Sequence, residues 1–152
     1  AIGVVQGLAL AFDRPCYGVS TLLAIAEGAR RETGQEHVLA VMDARMGEVY
    51  ASAYHFLNGV WSNTLPEQVC APEQLKYQSA ITVFGSGSGW SAYANQLTTA
   101  VDGPLLLEAQ IRFPQAMDML SIALPALNAG EGVPAELAMP VYLRDKVAEK
   151  AK

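Results

Sequence analysis

Apolar residues recur along this chain in two rhythms, and the alternation between them predicts its elements. Val4, Val5, Leu8, Ala11 and Phe12 fall at helical spacing in the opening segment, which Pro15 stops. Cys16 to Val19 reads as a short strand. Ser20 or Thr21 then caps a second helix, with Leu22, Ile25, Ala26 and Ala29 as its apolar stripe, Arg30 and Arg31 in its last turns and Gly34 at its end. The rhythm changes to period two after that. Val38 to Met42 is an apolar strand, and 43–47 is a turn in which Gly47 takes positive φ. Glu48 to Phe56 alternates, with Val49, Ala51, Ala53 and His55 on one face and Tyr50, Ser52, Tyr54 and Phe56 on the other. Asn58-Gly59 predicts a tight hairpin into a strand over Val60 to Asn63, which Pro66 breaks.

Pro72 suits the first turn of a short helix through Tyr77. Ala80 to Phe84 reads as a buried strand, followed by the glycine run Gly85 to Gly89 and a helix lined by Trp90, Tyr93, Ala94 and Leu97. Leu105 to Leu107 is a further short strand. A last helix begins at Arg112-Phe113-Pro114 with Ala116, Met117, Leu120, Ala123, Leu124 and Leu127 on its apolar face, Pro125 predicting a kink or early break. Pro134 to Pro140 is extended, and Val141 to Arg144 docks as a closing segment. This order predicts an α/β fold, with a mixed sheet of about five strands flanked by helices and a β-β-β-α-β-α run of ribonuclease-H-like topology.

Composition narrows the function. The chain has 152 residues, enough for one domain with a real core. A charged fraction of only 16% predicts a folded chain, part of whose surface is either bland or covered by a partner or by a further part of the polypeptide. The formal charge of −5 argues against direct nucleic-acid binding, which needs a basic field. The two cysteines, Cys16 and Cys70, follow no metal or redox spacing and read as buried thiols in a reducing compartment. With no membrane-length apolar run and no signal pattern, the cytoplasm is the expected location. The chain opens inside an apolar helical segment with no capping residue before it, which predicts sequence upstream.

Few residues carry chemistry. Gly85, Gly87 and their serines form either a structural turn or an anion-facing loop, since a strand–glycine–helix step presents backbone N–H groups. They lack the lysine and the hydroxyl spacing of a P-loop, and they are not a nucleophile elbow, because Gly85-x-Gly87-x-Gly89 leaves no serine at its centre. Asp43, Arg45 and Glu48 surround a turn and either hold a cation or nucleotide or simply pair with one another. His37 and His55 lie on separate strands near opposite ends of the paired region and read as surface or boundary residues. No metal site is expected. Tyr50, Tyr54 and Phe56, like Trp90 and Tyr93, are core residues or interface anchors.

Five stretches resemble the TsaB (YeaZ) family. Gln6-Gly7-Leu8-Ala9-Leu10 is similar to the end of its N-lobe helix, and Gly18-Val19-Ser20-Thr21-Leu22 to the strand-to-helix step that follows. Asp43-Ala44-Arg45-Met46-Gly47-Glu48-Val49-Tyr50 is the most specific. Gly85-Ser86-Gly87 before Trp90 resembles the family's glycine turn, and Pro140-Val141-Tyr142-Leu143-Arg144 its C-terminal signature. The resemblance implies an actin-like ATPase fold of two ribonuclease-H-like lobes. Residues 1–14 would be a remnant helix of the N-terminal lobe, 15–144 the C-terminal lobe and 145–152 a flexible tail. The Asp-rich strand and glycine-rich stretch of the family's first lobe are absent.

It further implies a non-catalytic scaffold without the metal-binding histidines of its relative TsaD. Such a scaffold supports a TsaD-like transferase and a TsaE-like ATPase in threonylcarbamoyl modification of the tRNA adenosine beside the anticodon. A homodimer through a related surface and only indirect contact with tRNA are implied too, with no catalytic residue and no cofactor. Asp43, Arg45, Glu48, Gly85 and Gly87 would lie near the interlobe cleft. The competing expectation is a nucleotide-binding hydrolase or protease-like enzyme using that cleft.

Overall fold

The structure is a computed structural model that describes residues 2–107 and 112–144. The expected tail at 145–152 lies outside the described residues. Helix α1 (Ile2–Ala11) precedes α2 (Thr21–Thr33), and strands β1 (His37–Arg45), β2 (Glu48–Leu57) and β3 (Val60–Cys70) follow. Then come β4 (Tyr77–Gln78), β5 (Val83–Ser86), α3 (Ser88–Ala92), α4 (Ala94–Ala100), β6 (Val101–Asp102), β7 (Leu105–Leu107) and α5 (Ala116–Asn128). The main sheet has five strands in the order β3-β2-β1-β5-β7. The β1–β2 and β2–β3 pairs are antiparallel, whereas β1–β5 and β5–β7 are parallel. The mixed sheet with flanking helices is thus as the sequence predicts.

The period-two pattern explains where the core sits. Leu39, Val41, Val49, Ala51, Ala53 and Val83 face Leu75, Trp90 and Leu97 on one side of the sheet. Val38, Ala40, Tyr54 and Phe84 face Leu22, Ile25, Ala26 and Ala29 of α2 on the other. Burying a side chain such as Ile25 or Leu39, each at 0% exposure, contributes about 1.5–3 kcal/mol. Helix α2 is held at both ends as expected. The Ser20 hydroxyl accepts from Leu22 N–H and Leu23 N–H, and Gly34 takes the left-handed conformation at φ 76 while its N–H donates to the Arg30 carbonyl.

Several elements differ from the pattern. Pro66 does not break β3, which runs on to Cys70. The strand is the sheet edge, and the register shifts between Ala51 and Tyr54, so a residue without an N–H is tolerated there. The helix expected after Pro72 is a single 3₁₀ turn ending at Gln74, and Tyr77 instead pairs in a second, two-stranded sheet of β4 and β6. β5 starts three residues later than Ala80, so Gly85 and Ser86 belong to the strand. One expected helix is two, divided at Tyr93, whose φ of −135 leaves the helical region. Cys16 makes an isolated bridge to Val133 rather than a strand, and Ala135–Leu137 forms a 3₁₀ turn where extended chain was expected. Pro125 lies inside α5 without ending it.

Two apolar stripes are not core. In α1 only Ala9 is buried, while Val4, Val5, Leu8 and Leu10 are exposed, as is Phe12 just beyond its end. In α5 the residue turned inward is Asp118, at 1% exposure, while Met117, Leu120 and Leu124 face out. Polar partners on α2 explain this. Arg31 Nε donates to Asp118 Oδ1 at 2.6 Å, and a Cβ at Gly28 would lie 2.7 Å from Asp118 Oδ2, so glycine makes room for the carboxylate. Arg112 adds an ion pair to Glu32 at 2.8 Å.

Candidate functional site

The two candidate stretches meet at one end of the sheet. The turn between β1 and β2 carries Arg45, Met46 and Gly47 at φ 64, 57 and 76. Asp43 braces it by accepting the Arg45 N–H at 2.9 Å, the local bond its side chain was expected to make, and its other oxygen stands 3.6 Å from Arg45 Nη1. Glu48 has a different partner. Arg144, from the C-terminal signature, donates to Glu48 Oε2 at 2.6 Å, and its guanidinium lies 5.7 Å from the centre of the Tyr50 ring. Of the expected closing segment, Arg144 thus reaches this hairpin end, while Val141 and Tyr142 remain exposed. Asp43 N–H donates to the Ser88 hydroxyl at 3.1 Å, which ties the turn to the glycine run.

The glycines of that run are filled by packing. A Cβ at Gly85 would come within 2.6 Å of the Trp90 ring, at Gly87 within 2.4 Å of the Val41 carbonyl oxygen and at Gly89 within 2.6 Å of Val41 Cγ1. Gly87 also needs its φ of 109. Trp90 Nε1 donates to the Leu39 carbonyl at 3.2 Å, fixing α3 on β1. The run lets a helix approach a strand, and α3 is only five residues long. The described open groove, of about 750 Å³ and lined by residues such as Lys76, Asn95, Gln96 and Asp102, does not include Asp43, Glu48 or any glycine of the run.

Three polar clusters escaped the sequence pattern. At the start of α2, Ser20 and Tyr54 hydroxyls both donate to Glu67 Oε1, the latter at 2.7 Å, and burial pushes the Tyr54 phenol up to about 12. Under α5, the buried Glu27 accepts from Arg30 at 2.8 and 2.9 Å, from Trp61 Nε1 at 2.9 Å and from Ser121 at 3.1 Å. Burial alone would raise its carboxyl, but these bonds outweigh it and the net shift is downward. The third cluster is the histidine pair. His37 and His55 are direct cross-strand partners, so the ends of β1 and β2 that looked opposite along the chain coincide in space. His37 is buried, not a surface residue. Burial and the neighbouring His55 hold its ring below the usual histidine range. The one signal in the sequence for these clusters was the shared face of Tyr50, Tyr54 and Phe56.

Nucleophilic chemistry finds no help from Cys70. Burial and, secondarily, Glu48 push its thiol upward, away from the thiolate. Among the described residues no three His, Cys, Asp or Glu side chains group together as a metal centre. No described helix is long and apolar enough to cross a membrane.

Comparison with known proteins places this geometry. A family model described as "TsaD: tRNA N6-adenosine threonylcarbamoyltransferase" matches residues 1–152. The chain is 41% identical to the tRNA threonylcarbamoyladenosine biosynthesis protein TsaB of Escherichia coli, over 98% of its own length and 65% of that protein's. It is 33% identical to TsaB of Haemophilus influenzae, over 97% of its length and 64% of the relative's. It therefore spans a little under two thirds of these relatives. A solved structure titled "YeaZ from Pseudomonas aeruginosa" superposes with a TM-score of 0.81 at 43% identity, covering 94% of this chain and 65% of that one. A second Pseudomonas aeruginosa structure, titled as an uncharacterized protein with similarity to peptidase YEAZ, matches equally. Sequence, fold and relatives agree, and the chain belongs to the TsaB (YeaZ) family.

Proposed function

We propose that this chain is the second lobe, with one first-lobe helix at 2–11, of a non-catalytic scaffold of the actin-like ATPase fold. Its role is to support a TsaD-like transferase and a TsaE-like ATPase during threonylcarbamoyl modification of a tRNA adenosine. The observation that carries this reading is the state of the candidate site. Asp43 is engaged by Arg45, Glu48 by Arg144, and the glycine run is closed by Val41 and Trp90. Residues that would have to bind a nucleotide are instead used to hold β1, β2, α3 and the C-terminal segment together. The names of the relatives support the same pathway. The exposed apolar side chains of α1 support a covering lobe or partner.

Partner binding is tested by gel filtration at micromolar concentration, with the full-length protein, a TsaD-like protein and a TsaE-like ATPase applied singly and together. Co-elution with the TsaD-like partner is the expected result. Separate elution of all three would overturn the reading.

A further inference from the structure

We propose that His37 and His55 form a bidentate site for a borderline divalent transition-metal ion of the zinc, nickel or copper type, clipping β1 to β2 at one end of the sheet. The two residues face each other directly in the antiparallel ladder. Their ring centroids are 5.3 Å apart. With metal–nitrogen bonds of 2.0–2.1 Å, a ring nitrogen roughly 1.1 Å from its centroid and a tetrahedral angle at the metal, two ligating imidazoles place their centroids about 5 Å apart. The pair thus already stands at the separation that one shared ion requires.

The surroundings of His37 fit the same role. Its ring is buried, at 8% exposure, and its Nδ1 has no hydrogen-bond partner. Buried polar atoms are nearly always satisfied, so this nitrogen calls for an explanation. The other nitrogen, Nε2, is 2.6 Å from the Tyr77 hydroxyl, which is in turn 2.9 Å from Thr64 Oγ1. A relay in which Nε2–H donates to Tyr77 and Tyr77 donates to Thr64 satisfies all three groups and leaves a lone pair on Nδ1. Metal-bound histidines are oriented in this way by a partner on the far nitrogen. His55 is only partly buried, which gives an ion a route from solvent. Water would complete the coordination, because the described residues add no third His, Cys, Asp or Glu. Imidazole nitrogen selects zinc, copper and nickel over magnesium or calcium. The site is independent of the scaffold reading, since it lies among β1, β2 and β4 and uses none of Asp43, Arg45, Glu48 or the glycine run.

The test is calorimetric titration of the tag-free 152-residue chain with Zn²⁺ alone, beside the ring resonances of both histidines by NMR. Substitution of the half-buried His55 by Gln is less disruptive than change at His37, and circular dichroism checks its fold. One equivalent of Zn²⁺ should bind, both imidazoles should shift together, and His55→Gln should weaken binding at least tenfold. Absence of saturable binding up to millimolar Zn²⁺ would overturn the proposal. So would a His55→Gln chain that binds as tightly as the parent, which would send the ion to Cys16, Cys70 or surface carboxylates.

Discussion

Gly87 carries more structural constraint than its place in a glycine–serine run suggests. Its φ is 109, and an added Cβ would sit 2.4 Å from the Val41 carbonyl oxygen. Gly34 is a useful contrast, because its φ of 76 is also left-handed but nothing lies within 4 Å of its Cβ position. Gly34→Ala meets only the backbone penalty and should cost about 1 kcal/mol. Gly87→Ala adds a steric collision with rigid backbone and should cost about 2–4 kcal/mol. Urea denaturation of both variants checks the order. Equal losses would show that packing on β1 does not constrain the run. From sequence this glycine was open to a turn or an anion-facing loop. Only the parallel pairing of β1 with β5, a long-range event, brings Val41 against it.

Element α2 is where the sequence was both most and least legible. Its cap, its apolar stripe and its terminal glycine all follow from local chemistry, and the structure has each. Its polar face was legible only as a dipole effect of Arg30 and Arg31. In fact that face collects Glu27, Arg30, Arg31 and Gly28 against Trp61 of β3 and Asp118 and Ser121 of α5. Helical periodicity finds the stripe of α5, but it cannot see that a neighbouring helix offers guanidinium groups, and so it chose the wrong inward face.

The Glu27 cluster has a definite pH signature. Its carboxyl is held below 4.5 when folded, so the ionised form stabilises the fold above that value and is lost as pH falls through the folded pKa. Glu27→Gln should cost about 1–3 kcal/mol at neutral pH. The gap from the parent should shrink below about pH 4.5, where the unfolded parent carboxyl becomes protonated. Thermal melts at pH 7 and pH 4 would test it. A gap that stays constant or widens in acid would assign the loss to packing instead of charge.

At the scale of the whole molecule, the mixed sheet and its β1–β2–β3 antiparallel run were legible because the period-two pattern is strong and the turn signals at Gly47 and Asn58-Gly59 are unambiguous, whereas the parallel addition of β5 and β7 beside β1 was not, since no local pattern specifies it. The small β4–β6 sheet was not legible, since two-residue strands carry no period. Nor was the anchoring of the C-terminal signature, because Arg144 meets Glu48 across 96 positions of sequence. On the proposed reading, that ion pair, the Asp43 turn and the closely packed glycine run make the candidate site a joint between elements. A joint tolerates loss of charge if shape is kept, whereas a reaction centre does not.

Reconstituted threonylcarbamoylation of tRNA is therefore the most direct measurement, run with TsaD-like and TsaE-like partners and the full-length protein carrying Asp43→Asn with Glu48→Gln. The account predicts that omitting the protein abolishes modification while the double variant retains most of the parent rate. A variant that still co-elutes with its partner but has lost modification as completely as the omission would contradict it.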